Sequence, residues 1–235
     1  MEPQTRPTAG IDLYWLPLGA GGHSVRLNGR IFEAVAARLD RRDRRDLYHS
    51  ALEVRVAGKR IVIEQAPALA GEAQDRGVVA EGPVGARALG RFRLFRYEVR
   101  RWPDGVIPDV AEAVASPQRL SNDPECMRRV IELVAEVPTP VWGRDELETG
   151  EMWNSNSVIS WLLSRSGLDA GSIRPPIGGR APGWPAGIAV AQRWETSLRG
   201  AGGSSPRPPF RPHAARRSSP SRRGRRPLAP DRRRT

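Results

Sequence analysis

The chain has 235 residues, with 38 lysines and arginines against 26 aspartates and glutamates, and a net charge of +12. Residues 196–235 contain 12 arginines and one acid, so this tail carries +11, and the other 26 basic and 25 acidic residues leave +1 for the body. All seven tryptophans precede residue 195. This distribution excludes a uniformly basic protein and predicts a nearly neutral globular body with a disordered basic tail.

The length of the body favours a single domain. We predict a flexible N-terminus over residues 1–10, one domain over residues 11–194 and a disordered tail over residues 195–235. A body of this size can bury roughly 70% of the surface that its unfolded chain exposes. Two full domains are therefore not expected.

The composition also argues against several kinds of site. One cysteine, Cys126, permits neither an internal disulfide nor a multi-thiolate zinc site, and the three histidines are far apart along the chain. We therefore expect no metal and no cofactor. The sequence has no apolar run of about 18 residues and no apolar leader, which predicts a cytoplasmic protein without membrane contact.

The first half of the chain predicts β-strands and hairpins. Residues 11–18 are apolar, and Asn28-Gly29 between alternating runs predicts a hairpin over residues 23–35. A second hairpin is predicted from strands at residues 49–56 and 60–65, which are rich in β-branched side chains. The run Gly19-Ala20-Gly21-Gly22 precedes a hairpin and not a helix, and no Gly-Lys-Ser/Thr follows, which argues against a phosphate-binding loop.

The second half predicts a long loop, two strands and three helices. The loop covers residues 69–90, and the strands cover residues 92–102 and 188–194. Asn122 or Asp123 can cap a helix whose apolar stripe includes Cys126, so we predict a buried cysteine. The helices are predicted at residues 109–115, at 124–136 and from Asn154 to Gly167.

The strand at residues 92–102 alternates arginine with aromatic side chains. Such a pattern could form a stacking platform for single-stranded nucleic acid. It is also typical of a half-buried strand with arginines on its solvent face, and we favour this structural interpretation because Glu98 lies among the arginines.

Three separated segments carry the residue types of a nucleophilic hydrolase. His49 opens a strand, Glu64 and Gln65 end the next strand, and Asn154-Ser155-Asn156 begins a helix. The catalytic sites of such hydrolases combine a nucleophile, a histidine base and a polar residue that orients the histidine, and a helix N-terminus can carry the nucleophile. With a turn at residues 58–59, Glu64 would lie on the face of His49 but about 13 Å along the strand, so a bulge or wider loop would be needed.

This arrangement resembles the circularly permuted papain-like fold, which includes lecithin retinol acyltransferase-like enzymes and bacterial amidases and peptidases. The resemblance covers about 150 residues, from His49 to Trp194. It implies an α+β domain with an antiparallel sheet packed on the nucleophile-bearing helix. By this resemblance His49 matches the base, Glu64 the third polar residue and Ser155 the catalytic cysteine, with Asn154, Asn156 and Gln65 in support.

Serine therefore stands where that family has cysteine. An environment that ionises a thiol cannot ionise a hydroxyl, so a serine nucleophile needs a base to take its proton during attack. The first hypothesis is a hydrolase or acyltransferase-like protein that acts on an amide or ester through Ser155, His49 and Glu64. The alternative is a non-catalytic relative that binds a peptide or acyl ligand, and whether the chain is an enzyme stays open.

The basic tail allows two further interpretations. Twelve arginines could make salt-sensitive, sequence-independent contacts with nucleic acid. The tail also has the composition expected from an out-of-frame translation of GC-rich coding DNA. The expected partners are thus an unknown small molecule or peptide at the cleft and, through the tail, nonspecific nucleic acid.

Overall fold

A computed structural model describes residues 9–18, 45–68 and 77–200 of the chain. The predicted hairpin at residues 23–35 and the tail beyond residue 200 lie outside the described residues. So does most of the predicted flexible N-terminus.

The described residues form an α+β fold, as the sequence predicts. Six antiparallel strands make one sheet in the spatial order β4-β5-β3-β2-β1-β6. The strands are β1 (Gly10–Pro17), β2 (Tyr48–Val56), β3 (Lys59–Pro67), β4 (Val78–Pro83), β5 (Arg96–Pro103) and β6 (Gln118–Ser121). The α-helices are α1 (Pro124–Leu133), α2 (Ser155–Arg165) and α3 (Trp184–Gly200).

The predicted β2–β3 hairpin is present, but its turn lies one residue earlier than a Gly58-Lys59 turn. Ala57 and Gly58 have φ angles of 49° and 75°, and Val56 pairs with Lys59. Positive φ at both central residues is the geometry that matches the twist of a two-residue hairpin. The shift by one residue changes which residues of the two strands lie opposite each other.

Several predicted elements differ from the structure. Residues 188–194 are part of α3 and not a strand, because Trp184, Val190 and Ala191 are buried at helical spacing. The helix also continues across the predicted domain boundary at residue 194. The predicted loop at residues 69–90 contains β4, and the predicted helix at residues 109–115 is only a short 3₁₀ turn, Val110–Glu112.

The segment before β5 also differs from its prediction. Arg87–Arg91 and Arg93–Phe95 form two 3₁₀ turns, so the strand begins at Arg96 and not at residue 92. Within β5, Tyr97 is fully buried and Arg100 is enclosed by carboxylates. The segment therefore does contain a strand, but the expectation that its arginines lie on a solvent face is wrong for Arg100, which is buried because it pairs with Glu64 and Glu98.

The two faces of the sheet are covered differently. The three helices pack on one face, which we call the helix face, and the large core lies between them; its strand residues include Leu13, Trp15, Leu52, Ile63 and Val99. The opposite face carries a smaller apolar cluster of Tyr14, Leu16, Ala51, Val62 and Ile107. The buried charged side chains on this opposite face are those of Asp12, Glu53, Glu64, Glu98 and Arg100.

None of the helices in the described ranges has the length and apolar composition required to cross a bilayer. Cys126 is buried in α1, as predicted, and its thiol lies 3.8 Å from the carbonyl oxygen of Ser166.

Candidate functional site

The N-terminus of α2 is the centre of the predicted site, and a capping box fixes it. The Asn154 side chain accepts hydrogen bonds from the amides of Asn156 (2.9 Å) and Ser157 (3.3 Å). In return, the Ser157 hydroxyl accepts one from the Asn154 amide at 3.1 Å and donates one to the carbonyl of Gly183 at 2.8 Å. The predicted helix start is thus confirmed, and Asn154 has a structural role in it.

Asn156 ties this helix end to the sheet. Its Nδ2 donates to the backbone oxygens of Tyr48 and Pro182, both at 2.9 Å, and its Oδ1 accepts from the Ser50 hydroxyl at 2.9 Å. Asn156 is 2% exposed, so these bonds satisfy an amide that burial would otherwise leave unpaired. The first turn of α2 therefore sits directly against β2 at Ser50.

The contact with Ser50 shows which side of β2 faces α2. Side chains along a strand point alternately to opposite faces of the sheet. Ser50 lies beside Trp15 in the ladder, and Trp15 belongs to the helix-face core. His49 lies beside Leu16, which belongs to the cluster on the opposite face. The structure therefore places His49 and Ser155 on opposite sides of the sheet.

The same alternation separates Glu64 from Gln65. Gln65 pairs with Val99 of the helix-face core, whereas Glu64 pairs with Arg100 on the opposite face. The Glu64 carboxylate accepts a hydrogen bond from Arg100 at 3.0 Å. Glu64 is thus on the side of His49, while Gln65 is on the side of Ser155.

The three predicted catalytic residues are accordingly not brought together. A base must reach its proton within hydrogen-bond distance or through one water, and a β-sheet lies between His49 and the first turn of α2. Ser50 is the polar residue of β2 that contacts the first turn of α2, and Gln65 lies on the same face of the sheet. The apolar residues Leu52 and Val54, at even spacing from Ser50, are the sequence signal that assigns Ser50 to the helix face.

Two polar residues on the helix-face side of the sheet, Gln65 and Ser155, have groups without a hydrogen-bond partner among the described residues. Gln65 is 6% exposed, and both its Oε1 and its Nε2 are enclosed without a hydrogen-bond partner. The capping box uses the amides of Asn156 and Ser157, whereas the Ser155 amide and hydroxyl have no partner among the described residues. The site therefore offers unpaired donors and acceptors but no titratable base on the helix face of β2 and β3.

The opposite face gives His49 an environment that disfavours its charged form. Burial lowers the pKa of His49 to about 4, and the carboxylate of Asp109 offsets part of that effect. His49 is consequently a neutral imidazole at pH 7.

We expect the free energy of unfolding to fall as the pH drops from about 6.5 to about 4, because the unfolded state binds a proton to His49 before the folded state does. The folded pKa lies below the unfolded value, so the stability is fully present above pH 6.5 and is lost as the pH falls to the folded value. The loss attributable to this group is about 3 kcal/mol. Urea unfolding of wild type and His49→Gln across this range measures it, and equal slopes in the two proteins would contradict the assignment.

Within the described ranges, no group of three or more histidine, cysteine, aspartate or glutamate side chains is placed to hold a metal ion. The groups described at the candidate site are amides and hydroxyls. These groups can form hydrogen bonds to a neutral ligand.

The fold and this site define an α+β protein with a polar helix N-terminus set against two β-strands. The chain matches no family profile, no curated protein and no solved structure.

Proposed function

We propose that the chain is a non-catalytic domain of the circularly permuted papain-like type, which binds a small peptide or acyl ligand where the N-terminus of α2 meets β2 and β3. The order of the secondary-structure elements along the chain supports this assignment. A hairpin precedes a buried helix that begins with Asn154-Ser155-Asn156, and an antiparallel sheet packs on that helix.

One observation carries the non-catalytic part of the proposal. On the helix face, β2 presents Ser50 to the first turn of α2 and β3 carries Gln65, and neither side chain can accept a proton near neutral pH. A serine hydroxyl attacks an amide or ester only when a base removes its proton. The hydrolase hypothesis requires that base to be His49, which faces the other way.

The proposed binding of a ligand rests on two amide groups that have no hydrogen-bond partner among the described residues. The Ser155 amide lies at the positive end of the α2 dipole, and the Gln65 amide is enclosed and unpaired. Buried polar groups in folded proteins are normally hydrogen-bonded, and those that are not call for a functional explanation.

A fluorophosphonate probe tests the proposal. We expect wild-type protein to remain unlabelled at neutral pH under conditions that label an active serine hydrolase in the same tube, and Ser155→Ala to behave identically. Labelling at Ser155 that disappears in His49→Gln would show a working serine-histidine pair and would reject the proposal.

A further inference from the structure

The 91–96 segment, which leads into β5, carries a run of exposed apolar side chains. Phe92, Leu94 and Phe95 are 49%, 81% and 37% exposed. The two 3₁₀ turns in front of β5 contain no buried residue. Single exposed apolar side chains are ordinary on protein surfaces, whereas several that adjoin mark a surface that contacts a partner. The 91–96 segment therefore calls for a partner outside its own core.

The two phenylalanines lie at the ends of one tight turn. The Phe95 amide donates a hydrogen bond to the carbonyl oxygen of Phe92 at 3.0 Å, which holds the two residues close together. The Arg91 guanidinium lies over the Phe92 ring, 4.7 Å from its centre, which is a cation–π distance. Neither ring belongs to the apolar clusters on the two faces of the sheet. The rings are therefore available for contacts with another molecule.

Two arginines of the segment have positive charge that the fold does not neutralise. Arg91 pairs with no carboxylate among the described residues. The Arg93 side chain is 62% exposed and lies 3.7 Å from Glu98, whose carboxylate already accepts hydrogen bonds from Arg100 at 3.0 and 2.9 Å. The 91–96 segment thus presents cations beside its exposed rings.

Single-stranded nucleic acid matches this alternation of rings and cations. Each of its nucleotides has a base that can stack on an aromatic ring and a phosphate that can bind a guanidinium. In a duplex the bases are enclosed in the helix and out of reach of such rings. A lipid bilayer fits less well, because the cation of Arg93 stands between Phe92 and Leu94 and would have to enter the hydrocarbon with them.

We propose that the 91–96 segment is a binding platform for single-stranded nucleic acid, in which Phe92 and Phe95 stack on bases while Arg91 and Arg93 contact phosphates. DNA and RNA share these groups, so the platform takes either without sequence preference. The sequence suggested such a platform along the strand at residues 92–102. The proposal moves it to the turn in front of β5, because Tyr97 within the strand is buried. It is independent of the site at α2.

Binding of the full-length protein to two fluorescent strands of equal length tests this platform. One strand carries bases, as oligothymidylate or oligouridylate, and the other is abasic, with the same phosphates but no bases. The double variant Phe92→Leu, Phe95→Leu keeps the surface apolar and removes both rings. We expect it to raise the dissociation constant for the strand with bases at least about tenfold, and to leave that for the abasic strand unchanged within about twofold. Phe210→Leu, the same substitution in the basic tail, should change neither.

The salt dependence of the same binding tests the two arginines. Each phosphate that a protein neutralises on a single strand contributes about 0.7 to the slope of log affinity against log salt concentration. Arg91→Gln with Arg93→Gln should therefore reduce that slope by about 1.4 for both strands. Arg128→Gln with Arg129→Gln removes the same charge from the exposed side of α1 and should leave the slope unchanged.

The inference is overturned if the double phenylalanine variant weakens both strands equally, if it weakens neither, or if Phe210→Leu causes the larger loss. Vesicles of phosphatidylcholine and phosphatidylserine test the other occupant of such a surface. Weaker binding of Leu94→Ser to these vesicles, together with unchanged binding of the double phenylalanine variant to oligothymidylate, would assign the segment to a membrane surface and would also overturn the inference.

Discussion

Arg100→Met should lower the free energy of unfolding at neutral pH by about 3–5 kcal/mol, because it removes the buried cation that the Glu64 and Glu98 carboxylates share. The guanidinium of Arg100 donates to Glu64 at 3.0 Å and to Glu98 at 3.0 and 2.9 Å. All three residues are at most 6% exposed. Solvent therefore cannot replace the lost ion pairs, and urea unfolding monitored by tryptophan fluorescence measures the loss.

Two further variants separate this ion-pair effect from simple truncation. Arg101→Met, at the next position of β5, removes a single weaker bond to the carbonyl of Ile131 and should cost about 1 kcal/mol. Arg100→Met combined with Glu64→Gln and Glu98→Gln should recover much of the loss, because the two buried carboxylates are removed together with the buried cation. A loss in Arg100→Met no larger than that in Arg101→Met would contradict this account of the opposite face.

The same ion pairs explain why Glu64 looks catalytic in the sequence. An acid that ends a strand next to a histidine-bearing strand fits the pattern of an orienting residue. In the structure its carboxylate is engaged by Arg100, a residue 36 positions later in the chain. No local pattern reveals that pairing, because it depends on β5 lying beside β3 in the sheet.

Local signals predicted the start of α2 and the existence of the β2–β3 hairpin correctly. Asn154 and Ser157 can form a capping box only at a helix start, and Gly58 can take the positive φ that a tight hairpin turn requires. These features depend on a few neighbouring residues. They are therefore visible in the sequence before any tertiary structure is known.

The sequence predicts only in part which side chains of β2 and β3 lie on the helix face of the sheet. Side chains in a strand have a period of two, so taking His49 in place of Ser50 moves the candidate base to the other face of the sheet. The apolar residues Leu52 and Val54 indicate that Ser50 faces the core. Acids and arginines at the alternate positions of β2 and β3 are typical of a solvent face, whereas Glu53 and Glu64 are buried on the opposite face.

The strand predicted at residues 188–194 is wrong for a different reason. Ile188 and Val190 alternate with alanines, which fits a strand as well as a helix over so short a window. The deciding contact is Gly187, where an added Cβ would lie 2.1 Å from the carbonyl oxygen of Ser157. This close approach of α3 to α2 is a tertiary feature, which the local pattern does not contain.

The ionisation of a thiol placed at position 155 tests most directly which residues of β2 face the helix. In Ser155→Cys, native His49 should have no influence, so adding His49→Gln should leave the rate of iodoacetamide labelling at pH 6 unchanged within about twofold. Adding Ser50→His places an imidazole on the helix face. It should lower the thiol pKa from its usual value of about 8.5 and raise the labelling rate at least about tenfold.

Peptide mass spectrometry assigns the label to position 155 and separates it from buried Cys126. The account predicts acceleration by Ser50→His and indifference to His49→Gln. A Ser155→Cys thiol that is already ionised near pH 6 and loses that reactivity in His49→Gln would contradict it, because His49 would then face the nucleophile position.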